Sequence, residues 1–214
     1  MNGTDAVWAV GRLTIGTAVK LIAPLRVYGA ERVPARGGLV VAANHFSWLD
    51  PPALGSASPR TLYFMAKVEA HRVPGLGQFM RSFGAFAVRR GESDRDAVRT
   101  MRQIVRDGHA LGMFAEGTRQ LEVPGAVQPG AAMVAINESV PLVPVAIHGS
   151  QHWRWNFAPI SIAWGEPMAF EGLPRGGRGY KEASIEVERK LYELWQWLVE
   201  IHELGRPSDA IPPR

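Results

Sequence analysis

Residues 37–43 are Gly37-Gly38-Leu39-Val40-Val41-Ala42-Ala43, and the chain continues as Asn44-His45-Phe46-Ser47-Trp48-Leu49-Asp50. Five apolar residues after two glycines predict a strand in the interior of a sheet. His45 then lies where the strand opens into a loop, and ligand chemistry in α/β sheets concentrates at such strand ends. Asp50, five positions later, can orient the imidazole and stabilise its charged form, which would make His45 a general base. The alternative is structural: a histidine satisfied by its surroundings, and an aspartate that caps a helix starting at Pro51.

Outward from this stretch, apolar runs typical of strands alternate with patterns typical of helices. Strands are predicted over residues 25–33, 39–43, 61–66, 85–88, 111–115, 142–147 and 160–164, the first of them at a sheet edge. Helices are predicted over residues 52–58, 74–83, 129–139 and 181–204, and between Ser93 and Gly108. The alternation predicts an α/β fold of three layers, with helices on both sides of a central sheet that is largely parallel or mixed.

Length and composition indicate one globular domain with a substantial core. The chain has 214 residues, of which 46% are hydrophobic and 21% are charged. It contains no cysteine, which excludes disulfides, a thiolate nucleophile and cysteine-based metal sites. The formal net charge of +4 and the isoelectric point of about 9.8 favour an anionic partner. A membrane surface, a phosphate-bearing substrate and a nucleic acid all fit that description.

The first 24 residues are predicted to form an amphipathic helix that lies in a membrane interface. Trp8 and the cations Arg12 and Lys20 are set in an otherwise apolar stretch. The cations leave no charge-free run of the roughly 18 residues that a membrane-spanning helix needs, and no signal-peptide pattern is present. The alternative is a helix that covers the core of the domain. The predicted organisation is this helix over 1–24, a domain over 25–204 and a flexible, proline-rich tail over 205–214.

Two more clusters of polar residues follow predicted strands. Arg89 and Arg90 precede a helix N-terminus, where guanidinium and backbone N–H groups attract phosphate; the alternative is a pair of solvated arginines. The second cluster is Phe114-Ala115-Glu116-Gly117-Thr118-Arg119-Gln120. Glu116 can accept a substrate hydroxyl, Gly117 lets backbone N–H groups approach an oxyanion, and Arg119 can bind a phosphate. A nucleotide phosphate-binding loop is excluded because its lysine is missing.

His148 and His152 are four positions apart, as metal ligands on a helix would be. The strand predicted before them and the intervening Gly149 argue against a helix, and no third ligand stands out. Structural or surface histidines are the better interpretation, and no metal site is predicted.

Taken in order, four blocks of the sequence resemble those of the glycerolipid acyltransferases. The blocks are Asn44-His45 with Asp50, Gly84 to Arg90, Phe114 to Arg119, and Val140 to Val145. The resemblance spans residues 25–165 and is strong for the bacterial 1-acylglycerol-phosphate acyltransferases, which make phosphatidic acid from lysophosphatidic acid. Two positions depart from the family pattern: Ala115 stands where proline is usual, and Gln120 where serine is usual.

The resemblance also implies roles for individual residues. His45 and Asp50 would form the catalytic dyad, and Arg90 would bind the acceptor phosphate with help from Arg89. The remaining acceptor-binding residues would be Glu116, Gly117, Thr118 and Arg119.

The function implied is transfer of a fatty acyl group to the free hydroxyl of lysophosphatidic acid. The donor would be acyl-CoA or acyl-carrier protein, with no metal or redox cofactor and no nucleic acid partner. The enzyme would be peripheral or monotopic on the cytoplasmic face of the cell membrane. The same chemistry on glycerol 3-phosphate, a lyso-aminolipid or a glycolipid remains an alternative. A second alternative, from another class, is a non-catalytic module that binds anionic membranes.

Overall fold

The computed structural model describes residues 23–67, 86–88, 95–153 and 158–214. The strands of this part are β1 (Leu25–Tyr28), β2 (Leu39–Ala43), β3 (Leu62–Lys67), β4 (Phe86–Val88), β5 (Ala110–Phe114), β6 (Leu142–His148) and β7 (Ile160–Trp164). Its α-helices are α1 (Asp50–Ala57), α2 (Arg95–Arg106), α3 (Gly130–Glu138) and α4 (Gly177–Glu203), and a 3-10 turn spans Ala30–Arg32. Most of the predicted N-terminal helix, the predicted helix over 74–83 and Ser93 lie outside the described residues.

The strands form one sheet in the order β1-β7-β6-β2-β5-β3-β4. Neighbours are parallel except β6 and β7, which are antiparallel, so β1 and β7 run opposite to the other strands. At the centre, Val41 of β2 pairs with Gly112 of β5 on one side and with Val143 of β6 on the other. The predicted α/β fold with a largely parallel or mixed sheet is confirmed.

The core lies on both faces of the sheet because successive strand residues point to opposite faces. Along β2, Leu39, Val41 and Ala43 belong to one apolar cluster, and Val40 and Ala42 belong to another. Helix α1 contributes to the first cluster, whereas α2, α3 and α4 contribute to the second. Every residue of β2 is therefore buried, which explains why its sequence is an unbroken apolar run.

The first strand is shorter than the predicted range of 25–33. It ends at Tyr28 because Gly29, with φ of 70°, turns the chain into the 3-10 turn. A Cβ at this position would lie 2.6 Å from the carbonyl oxygen of Trp164 in the neighbouring strand, so the close approach requires glycine. The predicted edge position is confirmed, since β1 is the outermost strand on its side of the sheet.

The last residues lie against the domain, in contrast to the flexible tail that their composition predicts. The guanidinium of Arg32 donates hydrogen bonds to the carbonyls of Pro212 at 2.7 Å and Pro213 at 2.8 Å. The ammonium of Lys190 donates to the carbonyl of Arg214 at 2.8 Å. Prolines have no N–H but keep a carbonyl acceptor, and cations of the domain use those acceptors to hold the segment.

Candidate active site

Three strand ends meet at one edge of the sheet and carry the polar residues of interest. The parallel strands β2, β5 and β6 are neighbours, and their carboxyl ends are Ala43, Phe114 and His148. Asn44 joins two of them: its side chain donates to the carbonyl of Ile147 at 2.9 Å and accepts the Ile147 N–H at 2.7 Å. This fully buried pair of bonds fixes the point at which the loop after β2 begins.

His45 and Asp50 form the pair that the sequence predicts. Nδ1 of His45 lies 2.8 Å from Oδ2 of Asp50, whose side chain is completely buried. The same Oδ2 accepts the backbone N–H groups of Phe46 at 2.6 Å and Ser47 at 2.7 Å. Asp50 is the first residue of α1. Its carboxylate therefore binds the backbone of the loop that immediately precedes its own helix.

The contact with Asp50 determines which nitrogen of His45 is free to act. A carboxylate oxygen can only accept, so Nδ1 carries the hydrogen and Nε2 is left with a lone pair. The imidazole is stacked on Phe114, with ring centroids 4.0 Å apart and planes 20° apart. The side chain is mostly buried, with 11% of its surface exposed.

The stack continues into the sheet through Phe64 and Gly112, which no sequence motif marks as functional. Phe64 of β3 lies parallel to Phe114 at a centroid distance of 6.1 Å. Gly112 makes room for it, because a Cβ there would lie 2.6 Å from the Phe64 ring. Phe114 begins the block that contains Glu116, but its contact with His45 connects two separate strands and leaves no local signal in the sequence.

Glu116 faces the backbone of His45. One carboxylate oxygen accepts the His45 N–H at 2.7 Å, and the other accepts the Gly125 N–H at 2.8 Å. Burial raises the pKa of Glu116 to about 7, with the two N–H bonds opposing the rise and the nearby Asp50 adding to it. The carboxylate therefore links the loop after β2 to the loop after β5.

The residues after Glu116 lead to a second contact with the His45 backbone. Gly117, with φ of 74°, turns the chain, and Gly117, Thr118 and Arg119 are exposed. The N–H of Gln120 then donates to the carbonyl of His45 at 2.7 Å. Glu116 and Gln120 thus hold the N–H and the carbonyl of His45, so this loop positions the histidine backbone.

Arg89 and Arg90 lie outside the described residues. The strand before them, β4, ends at Val88 and is parallel to β3, which is parallel to β5. The carboxyl end of β4 therefore lies at the same edge of the sheet as His45.

His148 and His202 form a separate, packed pair. Their ring centroids lie 4.5 Å apart at 87°, and Nε2 of His202 lies 2.8 Å from the hydroxyl of Ser161. Burial lowers the pKa of His148 to about 4 and that of His202 to about 3, so both rings are neutral at pH 7. His148 ends a strand, as predicted, and within the described ranges no cluster of histidine and acidic side chains has the geometry of a metal site.

Comparisons with known proteins identify the family of the chain. The model of the Acyltransferase family matches residues 24–148, more than half of the chain. The chain is 33% identical over 194 residues to the 1-acyl-sn-glycerol-3-phosphate acyltransferase of Bacillus subtilis (strain 168), covering 83% of this chain and 96% of that protein. It is 34% identical over 122 residues to the lyso-ornithine lipid O-acyltransferase of Pseudomonas aeruginosa, covering 55% of this chain and 46% of that protein.

A solved structure shares the fold. The crystal structure of the 1-acyl-sn-glycerophosphate acyltransferase PlsC from Thermotoga maritima superposes with a TM-score of 0.68, covering 89% of this chain and 79% of that one. Its sequence identity is 24%, so this likeness concerns the fold alone. On the family match and on the extent of the Bacillus similarity, the chain belongs to the acyltransferase family.

Proposed function

We propose that the protein transfers a fatty acyl group to the free hydroxyl of lysophosphatidic acid and so makes phosphatidic acid. The observation that carries the proposal is the His45–Asp50 contact, in which Nδ1 faces the carboxylate and Nε2 has no hydrogen-bond partner among the described residues. The similarity to the Bacillus 1-acyl-sn-glycerol-3-phosphate acyltransferase over nearly all of that protein supports the choice of acceptor.

In the proposed reaction, His45 acts first as a base and then as an acid. Nε2 takes the acceptor's hydroxyl proton as the oxygen attacks the carbonyl carbon of an acyl thioester. The tetrahedral intermediate then expels the thiolate, and Nε2 donates the proton to that thiolate. Asp50 keeps the ring oriented and balances the transient imidazolium charge. General base catalysis of this kind contributes roughly a hundred- to ten-thousandfold in rate.

The proposed acyl transfer requires no metal or redox group and forms no covalent acyl-enzyme. The chain has no cysteine to accept the acyl group, and it has no Gly-x-Ser-x-Gly elbow that would present a serine nucleophile. Both absences favour direct transfer between bound donor and acceptor. We propose acyl-CoA or acyl-carrier protein as the donor.

A direct test measures thiol release and product together. Because the protein contains no cysteine, a thiol-reactive dye reports only the thiol freed from acyl-CoA. The purified protein should release thiol with lysophosphatidic acid and form phosphatidic acid, detected by mass spectrometry. Thiol release without phosphatidic acid, or an equal signal without any acceptor, would refute the proposed function.

One relative indicates a second class of acceptor that the activity measurements should include. The Pseudomonas protein is named a lyso-ornithine lipid O-acyltransferase, and its matched region reaches identity similar to that of the Bacillus enzyme. The acceptor panel should therefore contain lysophosphatidic acid, lyso-ornithine lipid and glycerol 3-phosphate. The acceptor with the highest kcat/KM identifies the physiological class.

We propose that Glu116 positions His45, instead of accepting the substrate hydroxyl as the residue type alone predicts. Both of its carboxylate oxygens already accept backbone N–H groups, one of them from His45 itself. The residue is 4% exposed, which leaves little surface for a substrate. Gly117, Thr118 and Arg119, on the exposed part of the loop, are the better candidates for acceptor contact.

The Glu116→Gln variant separates these two roles. Its amide nitrogen would meet a backbone N–H where the wild type has an acceptor, so the His45 loop should shift. We expect kcat to fall about tenfold or more, with the acceptor KM changing less than about twofold. The exposed Glu122→Gln variant serves as the matched control and should resemble the wild type. A large rise in acceptor KM at unchanged kcat would instead indicate that Glu116 contacts the substrate.

We propose that Arg90 is the main ligand of the acceptor phosphate, assisted by Arg89 and Arg119. Arg90→Ala should raise the apparent KM for lysophosphatidic acid about ten- to a hundredfold, because a charge-assisted bond to phosphate contributes roughly 1.5–3 kcal/mol. The apparent KM for acyl-CoA should change little. Arg36→Ala, an exposed arginine before β2, is the control. An equal rise for donor and acceptor would contradict this role.

We propose that the protein works as a peripheral or monotopic enzyme at the cytoplasmic face of the membrane, with residues 1–24 as one anchor. This follows from a lipid acceptor and from the apolar, Trp-containing N-terminal sequence. None of the helices in the described ranges has the length and apolar character needed to cross a bilayer.

A further inference from the structure

The large apolar side chains that are exposed among the described residues fall into two groups. Ile185, Tyr192, Leu204 and Ile211 lie on α4 and after it. Trp48, Leu121 and Val123 lie on the two loops that flank His45, with 59%, 86% and 53% of their surfaces exposed. The second group coincides with the catalytic edge of the sheet.

The positions of these residues in the chain place the second group beside the dyad. Trp48 lies between His45 and Asp50 in the chain, and its ring is edge-on to Trp153 at a centroid distance of 5.4 Å. Leu121 directly follows Gln120, whose N–H binds the His45 carbonyl. We name Trp48, Leu121 and Val123 the apolar collar; Trp153, which is partly buried against the core, supports the Trp48 ring from below.

From this arrangement we infer that the apolar collar inserts into the headgroup region of a lipid bilayer and brings His45 to that level. The inference rests on the proposed function. A lysophospholipid keeps its acyl chain in the bilayer and its free hydroxyl among the headgroups, so the dyad must reach that depth. Tryptophan is favoured at this level of a membrane, and leucine and valine gain by leaving water there.

The loops that carry the collar are held in place, which makes the exposure of these side chains a property of the fold. The backbone N–H of Ser47 binds Asp50, the N–H of Leu49 binds the hydroxyl of Ser47, and Gly125 binds Glu116. An ordered loop that keeps apolar side chains in water gains nothing in folding, so the collar is better explained by a binding surface.

The charges beside the collar indicate which lipids it needs. The exposed neighbours of Leu121 and Val123 include one cation, Arg119, and one anion, Glu122. Their charges offset each other, so this loop itself adds little attraction to anionic lipid. Binding through the collar should therefore occur on zwitterionic phosphatidylcholine and should change little with salt.

The first test compares two surface variants of the full chain. In Leu121→Ser with Val123→Ser, partitioning onto phosphatidylcholine vesicles should weaken about tenfold or more. Transfer to vesicle-embedded lysophosphatidic acid should fall in parallel, while transfer to a short-chain, monomeric acceptor should stay within about twofold. Ile185→Ser, equally apolar and 60% exposed on α4, should change neither property. Unchanged partitioning of the collar variant, or equal losses in both variants, would overturn the inference.

A second test observes insertion directly. The cysteine-free chain allows a single environment-sensitive fluorophore at Leu121→Cys, with Ile185→Cys as the matched site. Vesicles should shift the emission of the label at 121 to shorter wavelength and leave that at 185 unchanged. The same response at both sites, or none at 121, would refute insertion. If the wild type acylates no lysolipid, the proposed function fails, whereas these binding measurements still decide the membrane contact.

Discussion

His45→Ala is expected to reduce acyl transfer at least about a thousandfold. The variant loses the imidazole that Asp50 orients, and with it the Nε2 lone pair that takes the hydroxyl proton. Its fold should persist, because His45 follows β2 and its ring contacts Phe114 at the edge of the core. Thiol release with lysophosphatidic acid measures the activity, and circular dichroism with a thermal melt measures the fold.

The matched control for this variant is His109→Ala. His109 also adjoins a strand, but it precedes β5 and so lies at the opposite edge of the sheet, beside Tyr63. It should keep wild-type turnover. A His45→Ala enzyme with more than a few per cent of wild-type turnover would show that another group acts as the base. Loss of activity in both variants would point to general instability.

Asp50→Asn is expected to lower kcat roughly a hundred- to ten-thousandfold. An amide oxygen can replace Oδ2 and still accept the three N–H groups, but it carries no charge to balance the imidazolium. The amide nitrogen would then occupy the place of Oδ1, which is buried and has no hydrogen-bond partner within the described residues. An unsatisfied buried donor costs about 1–3 kcal/mol, so the melting temperature should also fall by several degrees.

The exposed Asp107→Asn variant is the control for the aspartate. Asp107 accepts a hydrogen bond from Gln103 at the end of α2 and should tolerate the change. Retention of wild-type kcat by Asp50→Asn would mean that Asp50 only shapes its loop. Loss of binding for both substrates, with kcat preserved, would have the same meaning.

The main features of the fold are predictable because the sheet is covered on both faces. Burial of every residue of β2 turns it into an uninterrupted apolar run, which is visible without any structure. The pairing of His45 with Asp50 is also predictable, since a loop of four residues and one helix start place them within reach. These features depend on residues that are close in the chain.

Features that depend on distant contacts could not be predicted. Glu116 is recognisable as a polar residue at a strand end, but its partners are backbone N–H groups of two loops, and no residue pattern encodes them. The stack of Phe114 on His45 joins strands that are far apart in sequence. The early end of β1 likewise depends on the carbonyl of Trp164, which leaves no trace around Gly29.

The pairing of the reversed edge strands has a consequence for biosynthesis. Leu25 of β1 pairs with Ile160 of β7, and no other strand in the described part of the chain pairs with β1. During translation, β1 therefore cannot pair with β7 until well over a hundred further residues have left the ribosome. At about 5–20 residues per second, that wait is on the order of ten seconds. Throughout this interval β1 lacks the strand partner that it has in the described fold, and an unpaired strand edge is a template for aggregation.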